Sequence, residues 1–392
     1  MKLHDALVIG GGPAGATLAT RLALQGQDVA LVEKATYPRR KVCGEFVSAA
    51  TWPLLGALGV ATKLERKAGP AVTRVGLFAG EGVAEAPMPA PRAGARWGRA
   101  IGRHVLDEAL LERARRAGVA VRQPGSVTHA VREPQAWRIR IDSRSGVEEL
   151  QGRLLVDAHG SWERSPLDVG RTRPGERDLL AFKARFLGAS LSPGLMPLVL
   201  FPGGYGGLVQ SDSGTVSLSC CIRRGALRAA RASHRGAGDA LLAHITRHCR
   251  GVREALDGAR LEAPWLAAGP IRPGIRLLHE GDLEASVFRI GNAAGEAHPL
   301  IAEGVSMAVQ SAWLLAEALG SERDTLAAAR RYQSEWRAHL AFRVRASSAF
   351  AGLTTFPATA AASVALLRVV PALLTLGALW SGKAHLICPE AS

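Results

Sequence analysis

The fold is decided by Ala6-Leu7-Val8-Ile9-Gly10-Gly11-Gly12-Pro13-Ala14-Gly15, in which a short apolar run leads directly into glycines. The alanines and leucines of residues 14–24 favour a helix after them. The pattern predicts a strand, a tight glycine turn and a helix N-terminus. Glycine permits positive φ angles and lets backbone amides approach a pyrophosphate, and the helix end supplies unpaired N–H donors.

A second predicted strand, Val29-Ala30-Leu31-Val32, ends in Glu33. An acidic side chain at that position can accept hydrogen bonds from both hydroxyls of a ribose. A glycine turn alone also occurs in other α/β proteins. Strand, turn, helix and acid together predict a dinucleotide-binding unit.

Composition narrows the class of protein further. The chain has 392 residues, 47% of them hydrophobic, which is enough for two globular domains. Its net charge of +15 comes mostly from scattered arginines, and no zinc-finger or RNA-binding aromatic motif accompanies them. We therefore expect no specific nucleic-acid partner, and favour attraction to an anionic substrate or an acidic membrane surface.

Cysteine usage and the first residues indicate a location. An odd number of cysteines without paired C-x-x-C spacing argues against a disulfide framework or a zinc site. They are Cys43, Cys220, Cys221, Cys249 and Cys388. The first five residues run straight into the first predicted strand, so we expect no signal peptide and a cytoplasmic protein with reduced thiols.

Several other segments have recognisable patterns. Residues 51–67 and 99–118 favour helices, and Trp137, Ile139 and Ile141 alternate with arginines as in a half-buried strand. Strand-like runs at 196–201 and 216–222 surround Pro202-Gly203-Gly204-Tyr205-Gly206-Gly207, which we interpret as a glycine-rich turn.

The C-terminal region is strongly apolar from 356 to 380, with one helical stripe of large apolar side chains. Arg368 and Pro371 interrupt it, so a bilayer-spanning helix is not expected. Two interpretations stay open: helices packed against a substrate domain, or peripheral contact with the inner face of a membrane.

Two further segments complete the pattern of the glycine motif: Arg40-Lys41-Val42-Cys43-Gly44-Glu45 and residues 291–308, GNAAGEAHPLIAEGVSMA. Together the three resemble the superfamily of FAD-dependent oxidoreductases that contains aromatic hydroxylases, flavin halogenases and geranylgeranyl reductases. The resemblance covers nearly all of residues 1–330, and the Cys-Gly pair resembles the geranylgeranyl reductase-like branch.

The resemblance implies an α/β fold with a Rossmann-like FAD-binding domain of the glutathione reductase type, interleaved with a β-sheet substrate domain and followed by a helical tail. The expected FAD-binding domain comprises 1–72, 98–164 and 270–335, the substrate domain 73–97 and 165–269, and the tail 336–392.

The resemblance also assigns residues to FAD. Those expected at the pyrophosphate and adenosine ribose are Gly10, Gly12, Gly15 and Glu33, with Arg103 at the flavin chain and Val127 beside the adenine. Those expected at the ribityl chain and under the isoalloxazine are Gly291, Asn292, Pro299, Gly304, Val305 and Ser306. Further expected FAD contacts are Pro13, Ala14, Lys34, Lys41, Cys43 and Gly160. The helix that follows Glu303 would direct its N-terminal partial charge at the reduced ring.

Two positions depart from the family pattern. Asn292 replaces an aspartate but can still bind a ribityl hydroxyl. His159-Gly160 stands where hydroxylases have Asp-Gly, which weakens the expectation of NAD(P)H use by the hydroxylase route. NADPH or NADH remains a possible reductant.

Four residues are candidates for chemistry. Cys43, near Arg39 and Lys41, could exchange a proton, or could fill a tight loop as a small apolar side chain. Glu45 could act as an acid or pin the loop, and the structural role is favoured. His298 could shuttle a proton or be held by neighbouring carbonyls. Tyr205 could project over the flavin or be a plain turn residue.

These residues predict hydride transfer to or from a carbon–carbon bond of a bulky apolar or conjugated substrate, in lipid or secondary metabolism. The alternatives are an NAD(P)H- and oxygen-dependent hydroxylase of such an apolar or aromatic molecule, and a membrane-associated flavin electron carrier. Halogenation is disfavoured because no W-x-W-x-I-P segment is present. No nucleophile elbow or carboxylate-rich metal cluster is present either, so hydrolysis and a metal site are not predicted. The oligomeric state stays open.

Overall fold

The computed structural model describes residues 2–92, 94–161, 175–231, 236–277, 287–354 and 357–383. Two residues discussed above, Phe356 and Cys388, lie outside these ranges.

The described residues form strands and helices in alternation. The strands are β1 (Leu3–Ile9), β2 (Val29–Val32), β3 (Phe46–Val47), β4 (Arg74–Ala79), β5 (Gly82–Pro87), β6 (Arg99–Ala100), β7 (Ala120–Arg122), β8 (Ser126–Arg132), β9 (Trp137–Ser143), β10 (Gly146–Asp157), β11 (Leu179–Leu187), β12 (Leu195–Phe201), β13 (Gly204–Gln210), β14 (Val216–Arg223), β15 (Arg260–Leu261), β16 (Leu266–Ile271), β17 (Gly274–Ile275), β18 (Val287–Arg289) and β19 (Gly295–Glu296). The helices are α1 (Pro13–Leu24), α2 (Trp52–Ala57), α3 (Ala61–Glu65), α4 (Arg103–Arg116), α5 (Arg224–Ala230), α6 (Ala237–His248), α7 (Arg250–Ala255), α8 (Gly304–Ser321), α9 (Thr325–Thr354), α10 (Pro357–Val369) and α11 (Ala372–Trp380).

The first large sheet has the strand order β7-β2-β1-β10, with β18 paired to the other side of β10, and all of these neighbours are parallel. This is the arrangement of a dinucleotide-binding fold. Helices α1, α4 and α8 pack against one another on one face. An antiparallel meander of β8, β9 and the first half of β10 covers the other face. Because both faces are covered, Ala6, Leu7, Val8 and Ile9 are all buried.

The second large sheet has the order β15-β11-β14-β13-β12-β4-β5, with β16 paired to β11. Its strands come from residues 74–87 and 179–271, and we propose that they form the substrate domain. Helices α6 and α7 cover one face. The other face joins an apolar cluster to which α10 and α11 contribute.

Two local predictions are wrong. Residues 51–67 form two short helices, α2 and α3, because the chain turns at Gly59, whose φ is +77°. The segment 202–207 is a turn only at its start, since β13 begins at Gly204. A Cβ at Gly206 would lie 2.7 Å from the Cβ of Cys220, so this glycine allows close packing between strands. The alternation of Trp137, Ile139 and Ile141 on β9 is confirmed.

The C-terminal region consists of the helices α9, α10 and α11. Within the part of the chain that the structure describes, no single helix is long and apolar enough to cross a membrane. Ala360–Val369 and Ala372–Trp380 reach the necessary length and hydropathy only when taken together, and they are bent by 112°.

Candidate functional site

A cavity of about 270 Å³ lies between the two large sheets. Among its lining residues are these predicted FAD contacts: Gly10, Gly12, Pro13, Ala14, Glu33, Lys34, Lys41, Cys43, Arg103, Val127, Gly160, Gly291, Asn292, Pro299, Gly304 and Val305. Glu45 and Tyr205 also line it. The predicted contacts Gly15 and Ser306 lie behind the wall, and His298 contacts Tyr205 from outside the lining. The functional roles of these residues stay predictions.

The glycine turn at the end of β1 forms a cradle with no room for side chains. Gly10 has a φ of +105°, and a Cβ added there would lie 2.5 Å from the carbonyl oxygen of Ala158. A Cβ at Gly15 would lie 1.9 Å from the carbonyl oxygen of Gly10. Helix α1 begins just after Gly12 without a side-chain cap. The uncapped helix end and the close backbone therefore fit a pyrophosphate.

Glu33 holds this turn from the end of β2. Its side chain is buried, with one carboxylate oxygen accepting a hydrogen bond from the Gly11 amide at 2.7 Å and the other from the Ala35 amide at 2.8 Å. Each carboxylate oxygen of Glu33 can accept a second hydrogen bond. Glu33 could therefore bind ribose hydroxyls while it keeps both amide contacts.

A group of cations lies beside the turn. Arg103, at the start of α4, donates two hydrogen bonds to the buried Asp107 carboxylate, at 2.7 and 2.8 Å. The Nζ atom of Lys41 lies 3.6 Å from the same carboxylate. Burial lowers the pKa of Lys41, and the charge of Arg103 adds to this effect. Two cations around one carboxylate leave net positive charge at the cavity, which suits a bound diphosphate.

Asp107 was not predicted, although its spacing of one helical turn from Arg103 could have indicated it.

The loop that carries Cys43 and Glu45 is fixed to the second sheet. Glu45 has a left-handed backbone with a φ of +60°, and its buried carboxylate forms an ion pair with Lys183 of β11. The Ser211 hydroxyl donates to the same carboxylate at 3.2 Å, and the Ser219 hydroxyl donates to the Cys43 carbonyl at 2.8 Å. Glu45 therefore holds the loop through contacts with side chains of the second sheet.

Cys43 is half-buried on the cavity wall. Two of the cations next to it in sequence have acidic neighbours elsewhere: Arg40 pairs with Glu262 at 2.9 Å, and Lys41 lies beside Asp107. The Cys43 sulfur accepts a hydrogen bond from the Glu45 amide at 3.4 Å. The thiol is thus placed at the cavity, and its part in proton transfer stays a prediction.

Tyr205 and His298 form a pair between the sheet and the loop before α8. Tyr205 lies on β13 and its hydroxyl contacts Nδ1 of His298, whose backbone amide donates to the Ser347 hydroxyl at 2.9 Å. Burial raises the pKa of Tyr205 well above its ordinary value. Burial also lowers the pKa of His298 to about 4, and Arg223 adds to that shift. At neutral pH both are uncharged, and the tautomer of His298 determines which of the two donates the hydrogen bond.

The depressed pKa of His298 predicts a loss of stability in mild acid. The unfolded chain binds a proton at His298 below its ordinary pKa of 6.5, whereas the folded chain binds it only near pH 4. The contribution of His298 to the unfolding free energy is complete above its pKa in the unfolded chain. It falls as the pH drops from that pKa towards the pKa in the folded chain. We expect a decrease of roughly 2 kcal/mol in the unfolding free energy between about pH 7 and about pH 5. Urea unfolding at both pH values measures it.

His298→Asn should remove that part of the pH dependence. The exposed His129→Asn is the matched control and should leave it intact. Equal pH dependence in His298→Asn and the unchanged protein would contradict the assignment.

The loop at 291–303 lies across the cavity from β13. Asn292 donates through its side chain to Ser161 and, at 3.3 Å, to the buried Glu296 carboxylate. Burial raises the pKa of Glu296. The Gly291 amide donates to Ser311 at 2.7 Å, and Ser306 is bonded to Ser48 at 2.7 Å. Glu296 was not predicted, because no local pattern marks it.

The remaining wall of the cavity is mostly apolar. Its side chains include Ala181, Met196, Leu198, Leu208, Val209, Ile271 and Leu300. They come from β11, β12, β13 and β16 and from the loop before α8. Because these segments are far apart in the sequence, no local pattern predicts that their side chains line one cavity. This wall fits an apolar molecule held against Tyr205.

His159, which replaces the hydroxylases' aspartate, lines the cavity after β10. Its Nδ1 atom contacts the buried Asp157 carboxylate. Within the described ranges, no group of three or more His, Cys, Asp or Glu side chains is arranged to hold a metal ion.

Comparison with known proteins agrees with this site. Residues 4–192 match the family model of the FAD binding domain. The chain is 27% identical over 373 residues to conditioned medium factor receptor 1 of Dictyostelium discoideum, covering 86% of this chain and 68% of the receptor. It is 31% identical over 163 residues to menaquinone reductase of Mycobacterium tuberculosis, covering 42% of this chain and 38% of that enzyme. It is 25% identical over 352 residues to digeranylgeranylglycerophospholipid reductase 2 of Methanopyrus kandleri, covering 85% and 82%.

Solved structures share the fold. A myxobacterial chondrochloren halogenase superposes with a TM-score of 0.77 at 21% identity, covering 98% of this chain and 93% of the halogenase. A probable FAD-dependent monooxygenase from Pseudomonas aeruginosa superposes with a TM-score of 0.73 at 20% identity, covering 92% of this chain and 99% of the monooxygenase. A geranylgeranyl bacteriochlorophyll reductase-like protein from Thermoplasma acidophilum gives 0.72 at 17% identity, covering 94% and 92%.

The fold and the site define a flavoprotein with an FAD-binding α/β domain. Residues 4–192 form an FAD binding domain, and the whole chain is similar in fold to a flavin-dependent halogenase and to a geranylgeranyl reductase-like protein. It is a flavin-dependent oxidoreductase enzyme with FAD as its cofactor.

Proposed function

We propose that this enzyme transfers hydride to or from a carbon–carbon bond of a bulky apolar or conjugated substrate. The observation that carries the proposal is the uncharged pair of the buried Tyr205 and the half-buried His298, which lies beside the apolar wall and the loop before α8. Adding hydrogen to a carbon–carbon double bond requires a hydride on one carbon and a proton on the other. A neutral phenol can donate that proton to the substrate carbon as the hydride is added, and the phenolate left behind then takes up a proton from water.

Bound FAD supplies or accepts the hydride. The protein holds the dinucleotide with the glycine turn, Glu33 and Arg103, and the apolar wall orients the substrate and excludes water. Tyr205 exchanges the proton, and His298 fixes the phenol through Nδ1. Met196, Leu198 and Leu300 contribute to the apolar wall on which the substrate would pack.

The names of two relatives support a lipid-like substrate. One is a reductase of digeranylgeranylglycerophospholipid and another is a menaquinone reductase. Their names describe reductions, so we favour reduction over dehydrogenation for this chain.

The proposal includes the place where the enzyme works. We propose a cytoplasmic protein that contacts the inner face of a membrane peripherally through residues 356–380. Exposed apolar side chains on α10 and α11 support this contact.

Tyr205→Phe tests the proton donor. We expect anaerobically reduced Tyr205→Phe to be reoxidised by an alkene acceptor at least about 100-fold more slowly than the unchanged enzyme. The probes are digeranylgeranylglycerophospholipid and geranylgeraniol, and the readout is the return of the yellow absorbance of oxidised flavin.

Tyr332→Phe is the matched control, because its buried hydroxyl donates to the Arg289 carbonyl at 2.7 Å outside the cavity lining. It should reoxidise at the unchanged rate. Equal rates in both variants would remove Tyr205 from the reaction. NAD(P)H-dependent oxygen consumption with a hydroxylated product would favour the hydroxylase, and reoxidation only by another protein would favour the electron carrier.

A further inference from the structure

The C-terminal helices expose an unusual amount of apolar surface. On α10 and α11, the exposed fraction is 81% for Val369, 63% for Trp380 and 54% for Leu366. The other large apolar side chains exposed there are Val370, Leu373, Leu376 and Leu379. Contiguous apolar surface of this kind marks an interaction site in a folded protein.

The same helices are anchored on their opposite side. Val364 of α10, with Leu374 and Ala378 of α11, is buried in the apolar cluster that includes side chains of β4 and β5. The exposed side chains are therefore held in place by a packed inner side. The helices are bent by 112° relative to each other, so they do not form one straight membrane-spanning helix.

The charge of this region is one-sided. Between Glu335 and Glu390 the chain has no aspartate or glutamate. It carries five arginines and lysines there: Arg337, Arg343, Arg345, Arg368 and Lys383. Arg337, Arg345 and Arg368 are exposed, together with Phe342 and Phe350 of α9. Exposed cations next to exposed apolar side chains are complementary to an anionic lipid surface.

The inner side of α10 and α11 shares an apolar cluster with the candidate active site. The cluster that contains Val364 and Leu374 also contains Met196, Tyr205 and Leu300, which line the cavity. The cavity wall and the two exposed helices therefore pack on one apolar core.

We propose that the exposed face of α10 and α11, with the exposed end of α9, docks on an anionic lipid bilayer and receives the apolar substrate from it. Docking deepens the proposed peripheral membrane contact by naming the lipid surface, and substrate delivery rests in addition on the proposed hydride transfer. The bilayer is favoured over a second copy of the chain because the face is basic and free of acids, so two such faces would repel each other.

Vesicle co-sedimentation of the full-length holoprotein tests docking. Binding should be at least tenfold tighter to phosphatidylglycerol vesicles than to phosphatidylcholine vesicles. The double variant Val369→Glu/Trp380→Glu should bind the anionic vesicles at least tenfold more weakly. Val131→Glu/Val147→Glu is the matched control, because both valines are 58% exposed on strands of the first sheet. It adds the same charge and should bind as the unchanged protein does.

Failure to bind phosphatidylglycerol vesicles, or equal weakening in the control, would overturn docking. A dimer that Val369→Glu/Trp380→Glu dissociates, without vesicle binding, would also overturn it. Flavin content and thermal unfolding establish that the variants are folded.

Flavin reoxidation separates docking from chemistry. With digeranylgeranylglycerophospholipid embedded in vesicles, Val369→Glu/Trp380→Glu should react at least tenfold more slowly than the unchanged enzyme. With the same lipid dispersed in detergent, the two should react equally. Equal rates on vesicles would overturn delivery from the bilayer. Vesicle binding without reoxidation by either form would overturn the proposed function and leave docking supported.

Discussion

Gly15→Ala should lose bound FAD almost completely, with at least about 100-fold weaker binding, because helix α1 could no longer pack against the glycine turn. The added Cβ would lie 1.9 Å from the Gly10 carbonyl oxygen and 3.2 Å from the Ala158 side chain. The first contact is with backbone, which cannot rotate away, so the helix must shift from the strand. Overpacking of this kind costs about 3 kcal/mol of stability. Flavin released per mole of purified protein measures the binding loss.

Gly56→Ala is the control for this substitution. Gly56 lies exposed within α2, and an added Cβ there would meet no atom within 4 Å. It should keep its full flavin content and gain about 0.5–1 kcal/mol, because alanine favours helix over glycine. Stoichiometric FAD in purified Gly15→Ala would contradict the account of the cradle.

Lys183→Met should destabilise the protein by about 3–5 kcal/mol, because it leaves the Glu45 carboxylate buried without its cation. The two side chains are 4% and 3% exposed, and the remaining partner of the carboxylate is the Ser211 hydroxyl at 3.2 Å. The loop with Cys43 should loosen as well, since Glu45 ties it to β11. Urea unfolding at neutral pH measures the change.

A double variant gives a second readout. Lys183→Met/Glu45→Gln should recover most of the stability, because the buried charge is gone. The exposed pair of Lys63 and Glu112, 3.8 Å apart, supplies the control: Lys63→Met should change stability by less than about 1 kcal/mol. A similarly small effect of Lys183→Met would contradict the pairing.

The parts of the site that could be predicted are those with local patterns. The glycine turn and Glu33 follow one strand–turn–helix unit, and Arg103 begins a helix whose apolar spacing is clear. The family resemblance brought the loop at 291–306 to the same cavity. In each case backbone geometry over a short segment sets the position of the residue.

The parts that could not be predicted depend on contacts between distant segments. Lys183 lies on a mostly apolar strand that also carries Arg185, and only the fold reveals that Glu45 pairs with Lys183. Cys220 and Cys221 are adjacent on β14 and so point to opposite faces, yet both are buried, because α6 and α7 cover the second face of the sheet. The glycines around Tyr205 are typical of a turn, and the sequence therefore predicted one. In the structure Gly206 instead allows β13 to pack closely against β14.

The contacts of the C-terminal helices could not be predicted from the sequence either. Its apolar stripe left packing and membrane contact as alternatives. The structure shows a packed inner side with Val364 and Leu374 and an exposed outer side with Val369 and Trp380. Sequence periodicity could not separate these sides, because apolar residues occur on both.

Anaerobic reoxidation of the reduced holoenzyme tests the central claim most directly. The yellow protein is reduced under nitrogen with NADPH, NADH or dithionite, and digeranylgeranylglycerophospholipid is added before any oxygen. The account predicts that the yellow colour returns under nitrogen and that the product gains hydrogen by mass spectrometry. Return of the colour only when oxygen is admitted, with a product that gains an oxygen atom, would contradict hydride transfer to a carbon–carbon bond.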